Sequence, residues 1–153
     1  MDADIADQLK ERLAFFNMAG DEDYYPYVRK ALGQMGDESL DRFYRMISAQ
    51  PHLRDKFASQ EMMNNARRAQ VAHWQHLFTG RPSPEYAVRA QHIGKVHSRI
   101  GLEPRWYIGG YANVLADVVT HLVKSTPYGR LPGMDRLGHT LAALIRAAML
   151  DME

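Results

Sequence analysis

The 153-residue sequence contains no cysteine. Disulfide scaffolds, thiolate zinc sites and cysteine nucleophiles are therefore excluded, and histidine or carboxylate side chains would have to hold any metal ion. The sequence also lacks an excess of one charge, since 19 Lys and Arg stand against 18 Asp and Glu and give a formal net charge of +1. A surface that neutralises nucleic-acid phosphates needs a basic excess, so we expect no nucleic-acid partner.

Long hydrophobic runs are absent as well. The longest apolar stretch, 141–150, is interrupted by Arg146 and falls short of the roughly 20 residues that cross a bilayer. The start of the chain up to Leu13 is acidic and typical of a helix rather than of a signal peptide. These features predict a soluble, cytoplasmic protein without a membrane partner, and the length predicts one globular domain over residues 1–153.

Apolar residues recur at spacings of three and four along the whole chain, whereas the alternating pattern of strands is absent. Glycine and proline separate the periodic segments, so the sequence predicts an all-α fold. The predicted helices cover residues 3–17, 21–34, 38–50, 59–78, 84–100, 104–125 and 133–152. The last two have the strongest apolar faces, which comprise Ile108, Leu115, Val119 and Leu122 in one helix and Leu137, Leu141, Leu144, Ala148 and Met152 in the other.

Seven histidines are the available nitrogen ligands for a metal. His73 and His76 lie three residues apart and could chelate a cation from one helix face, although such pairs are also common on exposed helices. His97 shares a helix face with Ile93 and Ile100, so we expect it to point toward the core. From residue type alone, His97 is either a hydrogen-bonded core histidine or a ligand.

A longer motif surrounds His97. Residues 93–111 read IGKVHSRIGLEPRWYIGGY, in which His97 precedes an Arg-Ile-Gly-Leu turn, Pro104 and an aromatic helix start at Trp106. This segment resembles the signature of the globin-coupled sensors, and the resemblance extends over the whole chain in helix order. It implies a globin fold, which is a three-over-three helical sandwich. It further implies an extra N-terminal helix at about 3–17, a globin core at about 21–152 and a much shortened connection before the long fourth helix.

The resemblance also implies a cofactor. In that family the histidine that matches His97 is the proximal ligand of haem iron, so haem b is the expected cofactor and His97 the expected metal ligand. The family places the tyrosine of a Phe-Tyr pair over the distal face, and Phe43, Tyr44 and the later Pro51 match that pattern. The Tyr44 hydroxyl is then a hydrogen-bond donor to dioxygen. Apart from the haem, residue type favours the alternative that Tyr44 is a core aromatic whose hydroxyl bonds a carbonyl.

Further cofactor contacts are expected from neighbouring helices. A face of the helix 59–78 through Met63 and Gln70 would lie over the haem, where Gln70 either assists Tyr44 or only closes the pocket. Gly109 and Gly110 would each cost about 1 kcal/mol relative to alanine inside a helix, which indicates that something approaches the backbone closely there. The remaining expected wall residues are Ile93, Ile108 and Tyr111.

By this resemblance the chain is a haem-based dioxygen sensor that also binds carbon monoxide and nitric oxide. The family forms a homodimer through the last two helices, and the apolar positions of helix 133–152 have the spacing of a helix-pairing seam, with the monomer core as their alternative use. Relatives carry a C-terminal output domain, here expected to be a diguanylate cyclase or otherwise a histidine kinase or chemotaxis transducer. The end at Glu153 is typical of a cut between domains. No motif of these enzymes occurs in the sequence, so we expect no catalytic activity of this chain.

Two other functions stay open at this stage. One is a stand-alone globin with nitric oxide dioxygenase or peroxidase-like activity, which would use the same His97 and Tyr44 and require electrons from a reductase. The other is a haem-free helical signalling module, which purified protein without a haem absorption band would reveal.

Overall fold

The computed structural model describes residues 2–35, 37–127 and 131–152. Within these ranges the chain forms α-helices, one short 3₁₀ helix at Asp21–Asp23 and no strand, so the all-α prediction is confirmed. The α-helices are α1 (Asp2–Phe15), α2 (Tyr25–Met35), α3 (Glu38–Ser48), α4 (Pro51–Arg54), α5 (Gln60–Leu77), α6 (Pro84–Arg99), α7 (Pro104–Ser125) and α8 (Leu131–Met152).

The helix boundaries differ from the sequence prediction in three main places. Helix α2 begins at Tyr25 rather than at residue 21, because residues 21–23 form the separate 3₁₀ helix. The one-turn helix α4 was not predicted, because four residues are too few to show a helical period. Helix α8 begins at Leu131 rather than at Gly133, since Pro132 is tolerated in a first helical turn. In the part of the chain that the structure describes, no helix is both long enough and apolar enough to cross a membrane.

The core forms where α2 packs against α7 and α8, while α1 packs against α6 and α3 against α7. Tyr25 of α2 and Phe78, just after α5, are almost fully buried and meet edge to face with ring centroids 5.4 Å apart. Val28 and Val118 are fully buried beside them. This core fixes α7 and α8 as the base on which α5 and α6 lie.

The buried face of α7 agrees with the predicted face at Leu122 and is shifted by one residue at the two middle positions. Val114, Val118 and Leu122 are buried, whereas the predicted Leu115 and Val119 pack only partly against the core. Ile108 is 50% exposed, so its expected place on the buried face is wrong. Three-residue and four-residue spacings define two adjacent stripes on a helix of this length, and only packing against α2 selects one of them.

The apolar face predicted for α8 packs into the core of the monomer. Leu137, Leu144 and Ala148 are buried in the described core, which is the alternative that the sequence left open. They are therefore not available for a helix-pairing seam. On the same helix Arg146 forms a bidentate ion pair with the buried Asp21, and this pair joins α8 to the 3₁₀ turn before α2.

The Gly109-Gly110 pair has a packing role at one of its two positions. A Cβ atom on Gly110 would lie only 2.8 Å from the Phe43 ring of α3, whereas a Cβ on Gly109 would meet nothing within 4 Å. Close approach of a neighbouring helix therefore explains Gly110, as the sequence suggested. For Gly109 the described side chains provide no such reason.

Gly110→Ala is expected to make the domain less stable than Gly109→Ala does, by about 1–3 kcal/mol, because the added methyl overpacks the contact with Phe43. Gly109→Ala serves as the matched control, since it gains up to about 1 kcal/mol of helix propensity without a clash. Urea unfolding followed by circular dichroism measures both free energies. Equal stability of the two variants would contradict the close contact.

Candidate functional site

His97 lies in the last turn of α6, and the signature around it is a helix-ending motif. Gly101 adopts the left-handed conformation with φ of +63°. The Leu102 N–H donates to the His97 carbonyl at 2.9 Å, and the Gly101 N–H donates to the Ser98 carbonyl at 3.0 Å. This pair of bonds is the Schellman arrangement, for which glycine is the preferred residue. The Ile-Gly-Leu sequence therefore fixes the helical turn that carries His97.

Both ends of α6 are capped. At the start, the Ser83 hydroxyl accepts a hydrogen bond from the Tyr86 N–H at 3.3 Å with Pro84 in the first turn, as predicted. At the end, the Lys56 ammonium donates to the carbonyls of Ile100 and Gly101, at 2.8 Å each. A cation on the last carbonyls also complements the helix dipole. The helix that presents His97 is thus held from outside at its C-terminal turn.

The His97 imidazole is partly buried and stacks on Tyr107, with ring centroids 5.8 Å apart and planes inclined by 15°. Burial lowers the pKa of His97 below its ordinary value of 6.5. The neutral imidazole is therefore favoured at neutral pH. A neutral imidazole has a free nitrogen lone pair, which is the form that binds a metal.

A cavity of about 640 Å³ opens beside His97. We call it the His97 cavity. Helix α6 contributes the largest share of its lining, with further walls from α1, α7 and α8 and a single residue, His73, from α5. Aliphatic and aromatic side chains dominate its lining, which includes Leu9, Ala87, Ala90, Ile93, Leu102, Tyr107, Tyr111 and Leu150. Its size lies within the range of about 300–1,000 Å³ that is typical of small-molecule and cofactor sites.

A polar cluster forms one wall of this cavity. The Asp151 carboxylate near the end of α8 accepts hydrogen bonds from His73 Nε2 at 2.7 Å, from the Tyr86 hydroxyl at 2.7 Å and from the Tyr111 hydroxyl. The three donors belong to α5, α6 and α7. We call these four side chains the Asp151 cluster. It brings residues together that lie 40 to 78 positions apart in the sequence.

The Asp151 cluster holds a charged group away from water. The Asp151 side chain is only 1% exposed, and burial alone would raise its pKa. The hydrogen bond and charge of His73, together with the two tyrosine hydroxyls, outweigh that effect and lower the pKa of Asp151. The carboxylate is therefore ionised and can only accept hydrogen bonds, so His73 must carry its proton on Nε2. Burial and the neighbouring carboxylate raise the pKa of Tyr111.

Tyr44 lies in a second, smaller pocket of about 230 Å³ between α3 and α5, which we call the Tyr44 pocket. Its hydroxyl donates to Gln70 Oε1 at 3.0 Å, as the sequence suggested for this pair. Burial raises the pKa of Tyr44 to about 12, although the Arg67 cation opposes this effect. The hydroxyl therefore stays protonated at physiological pH. Met63, also predicted for the site, lines the same pocket.

The structure thus distributes the predicted site residues over two regions. His97, Ile93 and Tyr111 line the His97 cavity, while Tyr44 and Met63 line the Tyr44 pocket. Gln70 belongs with the second group through its bond to Tyr44, and Phe43 packs edge to face on the Tyr44 ring at 5.2 Å. The half-exposed Ile108 lines neither of them.

The His73-His76 pair does not act as a chelate in this structure. His73 bonds Asp151, whereas His76 Nε2 contacts the Arg89 guanidinium. Among the residues with described positions, no group of three histidine or acidic side chains could hold a metal ion. Sequence reasoning missed Asp151, although a signal existed. Asp151 continues the seven-residue spacing of the buried Leu137 and Leu144, so a charged residue occupies a buried position.

The comparison with protein families agrees with this architecture, since the model of the Protoglobin family matches residues 5–153. The chain belongs to the protoglobin family. Two crystal forms of the globin domain of E. coli DosC resemble this protoglobin domain along almost the whole length of both chains. The ferric form has a TM-score of 0.63 at 13% identity and covers 95% of this chain and 96% of that one. The ferrous form has a TM-score of 0.63 at 12% identity, with 97% of each chain covered.

The predicted resemblance to sensor globins and the predicted all-α globin fold are therefore confirmed. At 12–13% identity the crystal structures show the fold of the protoglobin domain alone.

Proposed function

We propose that this protoglobin domain is a haem-based dioxygen sensor in the cytoplasm, with haem b in the His97 cavity and His97 as the iron ligand. The observation that carries the proposal is a neutral imidazole at the wall of a largely apolar cavity of about 640 Å³. Bound haem would supply an iron centre at which dioxygen, carbon monoxide or nitric oxide binds. The lining residues would exclude water, and the capped end of α6 would hold the imidazole in place.

The residues present suit a haem on three counts. The cavity is lined mainly by apolar and aromatic side chains, which suits the faces of a porphyrin. Burial keeps His97 neutral, as a metal ligand requires. The Schellman motif and Lys56 fix the turn that carries the imidazole, so little ordering remains to be done when the ligand binds.

Tyr44 and Gln70 are the proposed polar groups of the distal side. Because the Tyr44 hydroxyl donates to Gln70 Oε1, the Gln70 Nε2 group keeps its hydrogens for another acceptor. Either the amide or a reoriented Tyr44 hydroxyl can then donate to a polar gas ligand. Such a donor stabilises bound dioxygen, because bound dioxygen carries partial negative charge. It stabilises bound carbon monoxide only slightly.

A sensor also needs a surface that passes on the ligand state, and we propose a homodimer that includes α8. Its exposed apolar residues are Met134, Ile145 and Met149. They lie eleven and four residues apart, which places them on one stripe of the helix, about 100° around the axis from the stripe of the buried Leu137 and Leu144. This stripe replaces the seam expected from the sequence. The proposed receiver is a C-terminal output domain, with a diguanylate cyclase as the first candidate.

His97→Ala is expected to remove the Soret band of protein purified after growth with a haem precursor. Haem affinity should fall by about 100-fold or more, because losing even a partner of a metal ligand costs about 10–100-fold. His92→Ala is the matched control, since His92 is an exposed histidine on the same helix, and it should keep the band. Absorption spectra and haemin titration of the apoprotein measure both effects.

Two outcomes would contradict this assignment. A Soret band that His97→Ala leaves unchanged would place the iron on another residue. Wild-type protein without any haem band would favour the haem-free signalling module. A purified domain that turns over nitric oxide when a reductase is supplied would instead favour the dioxygenase alternative.

Tyr44→Phe is expected to speed dioxygen dissociation about fivefold, which corresponds to the loss of one hydrogen bond of about 1 kcal/mol. Carbon monoxide dissociation should change by less than about twofold on the same reasoning. Stopped-flow ligand replacement measures both rates. Tyr27→Phe removes the hydroxyl of an exposed tyrosine on α2 and should change neither rate. An equal effect of Tyr44→Phe on both gases would contradict a hydrogen-bonding role.

Ile145→Glu is expected to shift the protein from dimer to monomer, because it places a charge in the centre of the exposed apolar stripe of α8. Val88→Glu places the same charge on an equally exposed apolar residue of α6 and should leave the dimer intact. Sedimentation velocity distinguishes the two states. A wild-type monomer, or a dimer that withstands Ile145→Glu, would exclude this surface.

A further inference from the structure

The Asp151 cluster has no role in ligand binding as described above, yet it occupies a wall of the His97 cavity. His73 comes from α5 and Tyr86 from α6, and both side chains line this cavity. Both donate to the same carboxylate, each at 2.7 Å. Asp151 is the penultimate residue of α8. One acceptor at the end of α8 therefore bridges the two helices that border the cavity.

The bridge is difficult to break. The Asp151 side chain is 1% exposed and that of His73 is 11% exposed, so water has little access to either group. A buried carboxylate that loses a donor keeps the full cost of its desolvation. The Tyr111 hydroxyl of α7 donates a third hydrogen bond to the same carboxylate. If His73 and Tyr86 change their separation, the carboxylate must follow them or lose a bond that water cannot replace.

Helices α5 and α6 meet directly at this wall, because the His73 and Tyr86 rings stack with centroids 6.1 Å apart and the Arg89 guanidinium contacts His76. All four side chains of the Asp151 cluster line the His97 cavity, so a rigid, planar ligand there would contact the cluster directly. The last turn of α8 is connected to both helices through Asp151, whereas the middle of α8 is held separately by Arg146 and Asp21. The end of α8 is thus the part of this helix that depends on what occupies the cavity.

We propose that Asp151 is a positioning residue that couples occupancy of the His97 cavity to the order of the last turn of α8. The inference rests on the proposed function in one respect, namely that haem is the occupant. Occupancy is then communicated by the positions of His73, Tyr86 and Tyr111 at the cavity wall, through the Asp151 carboxylate, to the last turn of α8.

Amide hydrogen exchange on the apoprotein and on haem-loaded protein tests this coupling. In the wild type, haem is expected to slow exchange in the last turn of α8 by about tenfold or more, a change that corresponds to about 1.4 kcal/mol. In Asp151→Asn, which keeps the shape of the side chain but removes its charge, the haem-dependent change in this turn should shrink to less than about twofold.

Two variants control for general loosening of α8. Asp135→Asn alters the exposed Asp135–His139 pair on the same helix. Asp21→Asn breaks the other buried carboxylate contact of α8, with Arg146. Both should keep the haem-dependent protection of the last turn, even where Asp21→Asn lowers overall stability. His73→Gln retains a donor for Asp151 and should preserve the coupling, whereas His73→Leu should abolish it.

Each outcome decides the proposal. If wild-type protein binds haem and the exchange rate in the last turn of α8 does not change, the proposed coupling is wrong, whereas the proposed haem site is supported. If no haem binds, both proposals fail together. A response that persists in Asp151→Asn and in His73→Leu also overturns the coupling. Should Asp151→Asn fail to fold, as judged by circular dichroism, the His73→Leu and His73→Gln pair still gives the answer.

Discussion

The ionised Asp151 carboxylate is the interaction on which the arrangement of this protoglobin domain depends most. A buried charge costs several kcal/mol unless hydrogen bonds compensate for it, and the compensation here comes from His73, Tyr86 and Tyr111. Since each donor lies on a different helix, the helices can approach only in the one arrangement that satisfies all three bonds. Apolar packing alone tolerates small rotations of a helix, whereas a charge with directed donors does not.

The same arrangement leaves room for a cofactor. The apolar faces of α7 and α8 pack in the core with α2, and the cavity forms beside α6, with the ends of α7 and α8 as further walls. His97 approaches the resulting cavity from a helix turn whose geometry Gly101 and Lys56 determine. The iron-binding side of the proposed site therefore depends on backbone structure, and the opposite side depends on one side-chain pair, Tyr44 and Gln70.

Helix α8 has two faces with different tasks. The buried face, with Leu137 and Leu144, belongs to the monomer core, while Met134, Ile145 and Met149 form an apolar stripe on the outside. A helix with two apolar faces cannot bury both of them within one small domain. The exposed stripe is the proposed contact for a second copy, and a change at the end of α8 would lie close to that contact.

The sequence by itself determined the helical class, the approximate limits of the helices, the capped start of α6 and the resemblance that singles out His97. These features depend on local periodicity, turn residues and a contiguous motif, which a linear pattern contains. Even the Tyr44–Gln70 contact followed from helical spacing together with the family pattern. The tertiary structure alone decided that Val118 rather than Val119 is buried, that Ile108 is exposed and that Asp151 meets His73. Those outcomes depend on how helices distant in the sequence rotate against one another, and the spacing of residues along one helix does not specify that rotation.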